Sequence, residues 1–342
     1  MAGTIRQIAQ IAGVSRGTVD RALNHRGRIN PEVARRIWEI AEELDYHPRK
    51  KAETDENQEG ELRIGVITQM SESSFMIPVH QGIADVEKEL RERNVVLYIR
   101  NIVSVDEQEQ LKAIDELDKL RISGLAIMPV ECDSVRSRLN RLMEERHIPV
   151  VTFNSDIVGT KRSCFVGLDN RKSGRAAAGL MGMLTRGSGK ILIITGFFTN
   201  SVNSLRVEGF IEEVKQSFPD MELLGVQSSS GDAKEVEQII VNTMHMMPDL
   251  AGIFVASRGQ GGVCCALDKI RPKHRPYVIV YDMTPKNAEA LEKNYFDFLI
   301  DQEGYVQGYR AIHLLYDHLI KGRELNQDMM FTDIKILTKY NI

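Results

Sequence analysis

Hydrophobic positions at the start of the chain repeat with the period of an α-helix. Ile5, Ile8, Ala9 and Ala12 are spaced i, i+3, i+4 and i+7, which places them on one stripe of a helix. Gly13 follows directly, and glycine tolerates the left-handed backbone that ends a helix sharply. The pattern predicts a short helix that ends before a tight turn.

A second helix is predicted directly after that turn. Ser15 stands where an N-cap belongs, because its hydroxyl can accept a hydrogen bond from a free backbone N–H. Val19, Ala22 and Leu23 form its apolar stripe, whereas its other face is polar. This arrangement is typical of a helix-turn-helix, which presents its second helix to the major groove of DNA.

A third helix is predicted from Asn30 and Pro31, a capping residue followed by proline at the first helical position. Its apolar positions at i, i+4, i+7, i+8 and i+11 are Val33, Ile37, Ile40, Ala41 and Leu44. Three such helices can close a small all-α core. The same pattern would also fit an ordinary three-helix cap with a solvated outer face.

Charge favours DNA binding over this alternative. Residues 1–52 contain ten lysine or arginine residues and six acids, a net charge of +4. The whole chain has a net charge of −4, so the remaining residues sum to −8. A basic head on an acidic body is the electrostatic pattern expected of a protein that binds the phosphate backbone.

From residue 62 onwards, short apolar runs alternate with amphipathic segments. The runs that predict buried strands are LRIGVIT, VVLYIRN, GLAIMPV, PVVTFNS, SCFVGLD, KILIITG, ELLGVQS, AGIFVAS, YVIVYDM and FLIDQ. The segments that predict helices include 80–93, 106–121, 171–185, 204–217, 233–245 and 303–321. Repeated strand–helix units build parallel sheets with helices on both faces. About 280 residues is large for one core, so we expect an α/β body of two doubly wound lobes.

The segments AGVSRGTVDRALN and INPEVARRIWEIAEELDYHP resemble the DNA-binding headpiece of the lac repressor family. In that family the second helix lies in the major groove. The resemblance implies that Arg16 and Gly17 occupy the two base-reading positions. The full set of DNA-binding residues that it implies is Thr4, Ser15, Arg16, Gly17, Thr18, Arg21, Asn24 and Arg49.

Two positions of this helix depart from the expected pattern. Gly17 has no side chain, so one base contact is missing or is made by Arg16 instead. Asp20 could accept a hydrogen bond from a cytosine amine, or orient Arg16 or Arg21 through a salt bridge, and we favour the second interpretation.

The linker at 49–61 is acidic where the family typically has a hinge helix. That helix wedges a leucine into the minor groove, and the matching position here is Asp55. Residues 53–61 contain five acids and no base, which leaves too little apolar surface to order the segment. We therefore expect a flexible acidic tether, in which Arg49 can still follow the DNA backbone.

The body is similar to the ribose-type (type I) periplasmic-binding-protein fold that this family uses as its effector domain. The expected domains are a head at 1–48, the linker at 49–61 and the body at 62–342. We expect the first lobe to comprise 62–163 and 293–320, the second to comprise 164–292 and 321–342, and the tail to return to the first lobe near Gln302. In this fold the ligand binds between the lobes, at the carboxyl ends of the strands.

Polar residues at those strand ends suit a polyol, because charged and amide side chains can each bond two neighbouring hydroxyls. Arg206, Asp282 and Gln302 match the family most clearly, and Phe75 could stack on a sugar face or the ring of a base. The predicted effector site is Phe75, Asn154, Ser155, Ser204, Arg206, Ser257, Arg258, Tyr281, Asp282 and Gln302. Each of these could instead be a surface charge or a strand-end polar residue.

The pair Ser257 and Arg258 replaces the Asn-Asp that the family often has. An added arginine in the cleft would favour an acidic ligand, such as a sugar acid or a phosphate ester.

Few other features of the sequence indicate a binding or catalytic site. The segment GQGG at 259–262 could hold an anion, but a tight turn is the better interpretation. The cysteines lack metal spacing and are interpreted as small buried hydrophobes; they are Cys132, Cys164, Cys264 and Cys265. We find no nucleophile–base–orienter set, so we expect no catalytic residues, no metal and no cofactor.

Two classes of function remain. The first is a cytoplasmic transcription regulator, most simply a repressor, that binds a pseudo-palindromic DNA operator as a homodimer and responds to a sugar, sugar acid or sugar phosphate. The second is a sugar-binding receptor module whose head serves another role. The basic head and the lack of a signal peptide or long apolar run favour the first class, with no membrane partner.

Overall fold

The computed structural model describes residues 4–23, 30–44, 61–198, 200–325 and 327–342. The chain divides into two compact units, Met1–Gly60 and Glu61–Ile342. The described helices of the first unit are α1 (Ile5–Ala12), α2 (Arg16–Leu23) and α3 (Pro31–Glu43).

The described apolar side chains of the predicted stripes lie in one core or pack against it. This core consists of Ile8, Ala9, Val19, Ala22, Leu23, Ile37, Ile40 and Ala41. Gly13 ends α1 in the left-handed region with a φ of 70°. The Ser15 Oγ accepts a hydrogen bond from the backbone N–H of Thr18 at 3.1 Å, which confirms the predicted N-cap of α2. The predicted helix-turn-helix is confirmed.

The second unit alternates strands and helices along most of its length. Its strands are β1 (Leu62–Thr68), β2 (Val95–Asn101), β3 (Gly124–Ile127), β4 (Val150–Phe153), β5 (Cys164–Leu168), β6 (Gly189–Thr195), β7 (Met221–Ser228), β8 (Leu250–Val255), β9 (Tyr277–Tyr281), β10 (Phe298–Asp301), β11 (Met329–Thr332) and β12 (Lys335–Leu337). Its helices are α4 (Met76–Arg91), α5 (Glu107–Lys119), α6 (Asp133–Arg146), α7 (Asn170–Thr185), α8 (Ser201–Ser217), α9 (Ala233–Met246), α10 (Gly261–Ile270), α11 (Pro285–Glu292) and α12 (Gly304–Lys321).

The strands form two six-stranded sheets, one for each lobe. The order is β11-β5-β4-β3-β1-β2 in the first lobe and β12-β10-β9-β8-β6-β7 in the second. The pairing of β10 with β12 is antiparallel, and the other strand neighbours run parallel. Helices α4 and α12 cover one face of the first sheet, and α5 and α6 cover the other. The second sheet lies between α7 and α8 on one face and α9, α10 and α11 on the other. This confirms the predicted pair of doubly wound lobes.

The predicted lobe boundaries are wrong by a strand at each crossing. Strand β5 pairs with β4 in the first sheet, so the chain leaves that lobe after Leu168 and not at 163. Strand β10 pairs with β9 in the second sheet, so the tail returns near Gln302 as predicted, but residues 293–301 belong to the second lobe. Strand β11 pairs with β5, which delays the last crossing to just after Thr332. Short buried strands look alike in sequence, and only the hydrogen bonds decide which sheet each one joins.

The glycine segment at 259–262 is a structural turn, as the favoured interpretation has it. Gly259 has a φ of 96°, and a Cβ on Gly262 would lie 2.1 Å from the Ala233 carbonyl oxygen. Glycine therefore allows α10 to pack closely on α9. The prediction that all four cysteines are buried is confirmed for Cys164 alone, because Cys132 and Cys264 are half-buried and Cys265 is exposed.

The predicted flexible linker, apart from Glu61, lies outside the described residues and stays a prediction. Within the described ranges, no helix is both long enough and apolar enough to cross a membrane. The same part of the chain contains no group of three or more His, Cys, Asp or Glu placed to hold a metal ion.

Candidate effector site and DNA-reading head

Arg206 is the most unusual side chain of the body, because it is a buried cation with one unpaired hydrogen-bond donor. It extends from α8, is 3% exposed, and donates to Asn170 Oδ1 at 2.8 Å and to the Ala256 carbonyl at 3.0 Å. Its guanidinium lies 3.8 Å above the ring of Tyr281. Burial lowers the pKa of Arg206, and the charges of Tyr281 and Asp282 oppose this shift. The Nη2 atom is buried and has no partner among the described residues. An unsatisfied buried donor is costly, so this atom points to an acceptor that a ligand would supply.

Asp282 supplies a buried carboxylate in the same region. It follows β9 with a φ of 74°, a conformation held by Asn287 Nδ2, which donates to the Asp282 carbonyl at 2.9 Å. Its Oδ1 accepts a hydrogen bond from Gln302 Nε2. Burial raises the pKa of Asp282, while Arg206 and Gln302 oppose the shift. The carboxylate and the guanidinium together can accept from and donate to a polyhydroxyl ligand.

A chain of amides links this pair to the first lobe. Asn154, at the end of β4, donates through Nδ2 to Gln307 Oε1 at 3.2 Å. Gln307, on α12, donates to the Gln302 carbonyl at 2.8 Å, and Gln302 in turn holds Asp282. Hydrogen bonds therefore join Asn154, Gln307, Gln302 and Asp282 in one network that links the two lobes, and Arg206 lies within electrostatic reach of Asp282.

Ser155 belongs to a second cluster within the first lobe. Its hydroxyl donates to the Pro129 carbonyl at 3.0 Å, and Gln69 Nε2 donates to the same carbonyl at 3.1 Å. The Gln69 Oε1 atom is buried without a partner among the described residues. Gln69 is not among the predicted effector residues. Its position directly after β1 was the available signal.

A cavity of about 680 Å³ lies between the two lobes and includes part of the predicted site. Ser73, Ser74 and Phe75 line it from the first lobe. Arg258, Asp282 and several residues of α10 and α11 line it from the second lobe. The volume falls within the range of about 300–1,000 Å³ that is usual for small-molecule sites.

Three predicted effector contacts serve other purposes in the structure. Tyr281 is fully buried, and its hydroxyl pairs with that of Ser173 at 2.8 Å, so it supports Arg206 from below and does not line the cavity. Ser204, in the first turn of α8, donates to the carbonyl of Phe198 in the preceding loop at 2.7 Å. Ser257 is buried, and its hydroxyl donates to the Arg258 carbonyl at 3.4 Å.

A contact between the lobes was missed entirely by sequence reasoning. Glu131 follows β3 in the first lobe, and its Oε1 accepts from the N–H and the hydroxyl of Ser201 at 3.1 and 2.9 Å. Ser201 begins α8 in the second lobe, so the carboxylate lies at the positive end of that helix. Burial raises the pKa of Glu131, and the hydrogen bonds from Ser201 oppose the shift. A single glutamate in a loop carries no sequence signal for such a partner.

In the head, Arg16 and Gly17 are exposed at the start of α2. Thr18 is half-buried, and its hydroxyl lies 2.9 Å from the Ser15 hydroxyl. Thr4 caps α1, where its hydroxyl and backbone form a capping box with Gln7. Three of the predicted DNA contacts lie outside the described part of the chain, namely the Arg21 side chain, Asn24 and Arg49. The side chain of Asp20, which we expect to orient Arg16 or Arg21, also lies outside it.

Comparison with known protein families accounts for both units. Residues 4–49 match the profile of bacterial regulatory proteins of the lacI family. Residues 64–324 match the profile of a periplasmic binding protein domain. The chain belongs to the lacI family of bacterial regulatory proteins.

Curated relatives of this lacI-family chain are similar along both units. The chain is 26% identical over 336 residues to the HTH-type transcriptional repressor PurR of Klebsiella pneumoniae subsp. pneumoniae, a match that covers 95% of this chain and 93% of the repressor. It is 30% identical over 217 residues to the probable HTH-type transcriptional repressor ExuR of Bacillus subtilis (strain 168), covering 62% of this chain and 60% of that protein.

Solved structures confirm the fold predicted for the body of this lacI-family chain. The arabinose binding protein AraP from Geobacillus stearothermophilus superimposes with a TM-score of 0.72 at 24% identity, covering 82% of this chain and 98% of AraP. A sugar-binding protein of a sugar ABC transporter from Bacillus halodurans gives a TM-score of 0.75 at 24% identity, covering 82% of this chain and 98% of that protein. At this identity the likeness establishes the two-lobed fold alone.

Proposed function

We propose that this chain represses transcription by binding a DNA operator through its head, and that a sugar-like effector bound between the two lobes sets the operator affinity. As a lacI-family regulator, the chain is a ligand-responsive transcriptional regulator. The names of its relatives, both transcriptional repressors, support repression as the direction of control. The proposed effector site rests on one observation, the buried Nη2 of Arg206, which has no partner among the described residues and lies near the carboxylate of Asp282.

The polar groups of the cleft fit a ligand with several hydroxyls. Asp282 can accept from hydroxyls, Arg206 Nη2 can donate to a hydroxyl or ring oxygen, and Gln69 Oε1 can accept from another hydroxyl. The half-buried ring of Phe75 offers an apolar face for a sugar ring. Proteins of the same fold that bind sugars, among them an arabinose binding protein and a solute binding protein in complex with D-arabinose, support this class of effector.

For DNA, we propose that Arg16 contacts bases while Thr18 and Arg21 contact phosphates or flanking bases. Gly17 would allow the helix to approach the groove without a contact of its own. Thr4 and Ser15 would meet the backbone, and their capping roles leave them at exposed helix starts where a phosphate can bind. Asn24 and Arg49 complete the proposed set.

We further propose that the regulator acts in the cytoplasm as a homodimer. Two heads would then occupy the half-sites of a pseudo-palindromic operator about one helical turn apart. Effector binding would stabilise the closed lobes and alter the spacing of the heads. It can change DNA affinity only by as much as its affinity differs between the two states.

The alternative is a sugar-binding receptor without a role at DNA, as the fold shared with transporter components would allow. The head weighs against it, because residues 4–49 match a regulatory family over the length of the helix-turn-helix. No catalytic role is part of the proposal.

The test is a DNA-binding titration of the purified full chain. The DNA probe is the region upstream of the protein's own gene. Binding is measured by gel shift at two salt concentrations, with and without a panel of pentoses, hexoses and their acids. We expect sequence-specific, salt-sensitive binding that at least one sugar changes about 10-fold or more, within the usual range of allosteric coupling. Arg16→Gln should weaken specific binding by about 1–3 kcal/mol, whereas Arg141→Gln, an exposed arginine on α6 in the body, should leave it unchanged. Absence of specific binding to any part of that region would refute the proposal.

A further inference from the structure

Two cations in the wall of the cavity between the lobes have no acidic partner in the described part of the chain. Arg258 follows β8, and Lys286 lies in the first turn of α11; both are exposed and both line the cavity. Neither forms an ion pair with any residue in the described ranges under a 4.0 Å limit. Lys293, the third cation of the wall, is paired with Glu289.

The acids of the same wall already have partners. Glu289 is held by Lys293, Asp268 accepts from the Tyr295 hydroxyl at 2.6 Å, and Asp282 accepts from Gln302. Three cations and three acids therefore line the cavity. Glu289 offsets Lys293, Asp268 and Asp282 are hydrogen-bonded to neutral groups, and Arg258 and Lys286 are cations of this wall without an acidic partner among the described residues.

Arg258 is held in place by its backbone surroundings. Gly231 has a φ of 82°, and a Cβ at that position would lie 3.4 Å from the Arg258 Cβ, Nε and Nη2 atoms. The side chain thus packs along the glycine. It also lies within electrostatic reach of Asp282, since burial raises the pKa of that carboxyl while Arg206 and, more weakly, Arg258 oppose the shift.

We propose that the effector is an anionic sugar, in which a carboxylate or phosphate binds Arg258 and Lys286 while the hydroxyls bind Asp282 and Arg206. This inference rests on the proposed function, because it assigns the chemical class of that same effector. A planar guanidinium binds a carboxylate or phosphate through two parallel hydrogen bonds, which gives Arg258 a specific role that a neutral sugar would leave unused. The cavity contains Arg258, Lys286 and Asp282 in one wall, so a single ligand can reach all three.

The test is calorimetry on the full chain with matched ligands that differ in the anionic group. The panel is D-glucose, D-glucuronate and D-glucose 6-phosphate, together with D-galactose, D-galacturonate and D-galactose 6-phosphate. We expect at least one anionic member to bind about 10-fold or more tightly than its neutral parent, as one charge-assisted hydrogen bond would produce. The carboxylate and phosphate arms identify which anion the site takes.

Variants link this preference to the two cations. Arg258→Gln and Lys286→Gln should each reduce affinity for the preferred anion about 10-fold while leaving binding of the neutral parent within about twofold. Arg141→Gln, which removes the same charge outside the cavity, should change neither. Urea unfolding of each variant verifies that the fold is retained.

The possible results separate the two proposals. If a neutral sugar binds as tightly as its anionic partners, or if both cavity variants bind the anion normally, the anionic effector is excluded while a sugar-controlled repressor stands. If no member of either class binds and none alters DNA binding, both proposals are overturned.

Discussion

Asp282 and Arg206 place two opposite charges in a part of the cleft that water hardly reaches. Burial raises the pKa of Asp282 and lowers that of Arg206, so each group is costly to ionise where it lies. Buried charged groups are often no more stabilising than neutral groups of similar shape, because their desolvation costs free energy. Ligand binding as proposed above would account for their presence, because ionised acceptors and donors are stronger hydrogen-bond partners than neutral ones.

Asp282→Asn should therefore raise stability near neutral pH while abolishing effector binding. The folded-state pKa lies above the ordinary value of 3.8, so the folded chain holds a proton that the unfolded chain releases. Stability consequently falls as pH rises from about 3.8 through the raised pKa. Asparagine does not titrate, so the variant does not undergo this fall in stability. Urea unfolding across that pH range should give the variant a growing advantage with rising pH.

Asp249→Asn is the matched control with the opposite sign. The hydrogen bond from Lys190 lowers the pKa of exposed Asp249, so its contribution is present above the ordinary value and is lost as pH falls through the lowered one. This variant should be slightly less stable than the original chain near neutral pH. A similar destabilisation by Asp282→Asn would contradict the interpretation of Asp282.

The residues of the site could be predicted only in part. Arg206, Asp282 and Gln302 were found because they match a family pattern at strand and helix positions near the cleft. Asn170 and Gln307 were missed, although they hold Arg206 and Gln302 in place. Their roles depend on contacts between distant segments, which local sequence does not encode.

At the level of elements, the position of Arg206 depends on how closely α7 and α8 approach each other. A Cβ on Gly174 of α7 would lie 2.0 Å from the Arg206 carbonyl oxygen, and one on Gly209 of α8 would lie 2.0 Å from the Arg171 carbonyl oxygen. Each helix therefore uses a glycine to accept the backbone of the other. This close contact brings Asn170, at the start of α7, within hydrogen-bond distance of the Arg206 guanidinium.

Gly174→Ala should push α7 and α8 apart. The added Cβ would meet backbone, which cannot move aside as a flexible side chain would. We therefore expect the free energy of unfolding to fall by about 2–3 kcal/mol. Because Arg206 would be displaced, we also expect a strong loss of effector binding. Thermal unfolding and ligand titration measure the two effects.

Gly179→Ala on the same helix is the matched control. A Cβ there meets nothing within 4 Å, so alanine should stabilise the helix by about 0.5–1 kcal/mol. If both alanine variants have the same stability, close helix packing does not determine the site.

For the whole molecule, the contact between Glu131 and Ser201 joins the lobes at a point separate from the Asp282 network. Both hydrogen bonds cross from the end of β3 to the first residue of α8. Opening of the lobes would break them, so they stabilise the closed arrangement whether or not effector is bound.

Glu131→Gln and Ser201→Ala should each weaken effector binding about 10-fold, as expected when a charge-assisted hydrogen bond is lost. The double variant should be little worse than either single one, because both remove the same interaction. Calorimetry with the preferred sugar measures affinity, and small-angle scattering measures closure.

Ser134→Ala provides a control confined to one lobe, where the Ser134 hydroxyl donates to Glu107 at 2.5 Å. It should leave effector affinity unchanged. Additive effects of the Glu131 and Ser201 substitutions would argue against a shared contact between the lobes.

The sequence by itself determined the helix-turn-helix, the alternation of strands and helices, and the family to which both units belong. These features depend on local periodicity, capping residues and short motifs, all of which are encoded within a few turns of chain. The tertiary structure alone decided which sheet β5, β10 and β11 join, that Tyr281 supports Arg206 from beneath, and that Glu131 meets α8. Those outcomes depend on hydrogen bonds and packing between segments far apart in sequence, for which the amino-acid sequence contains no local signal.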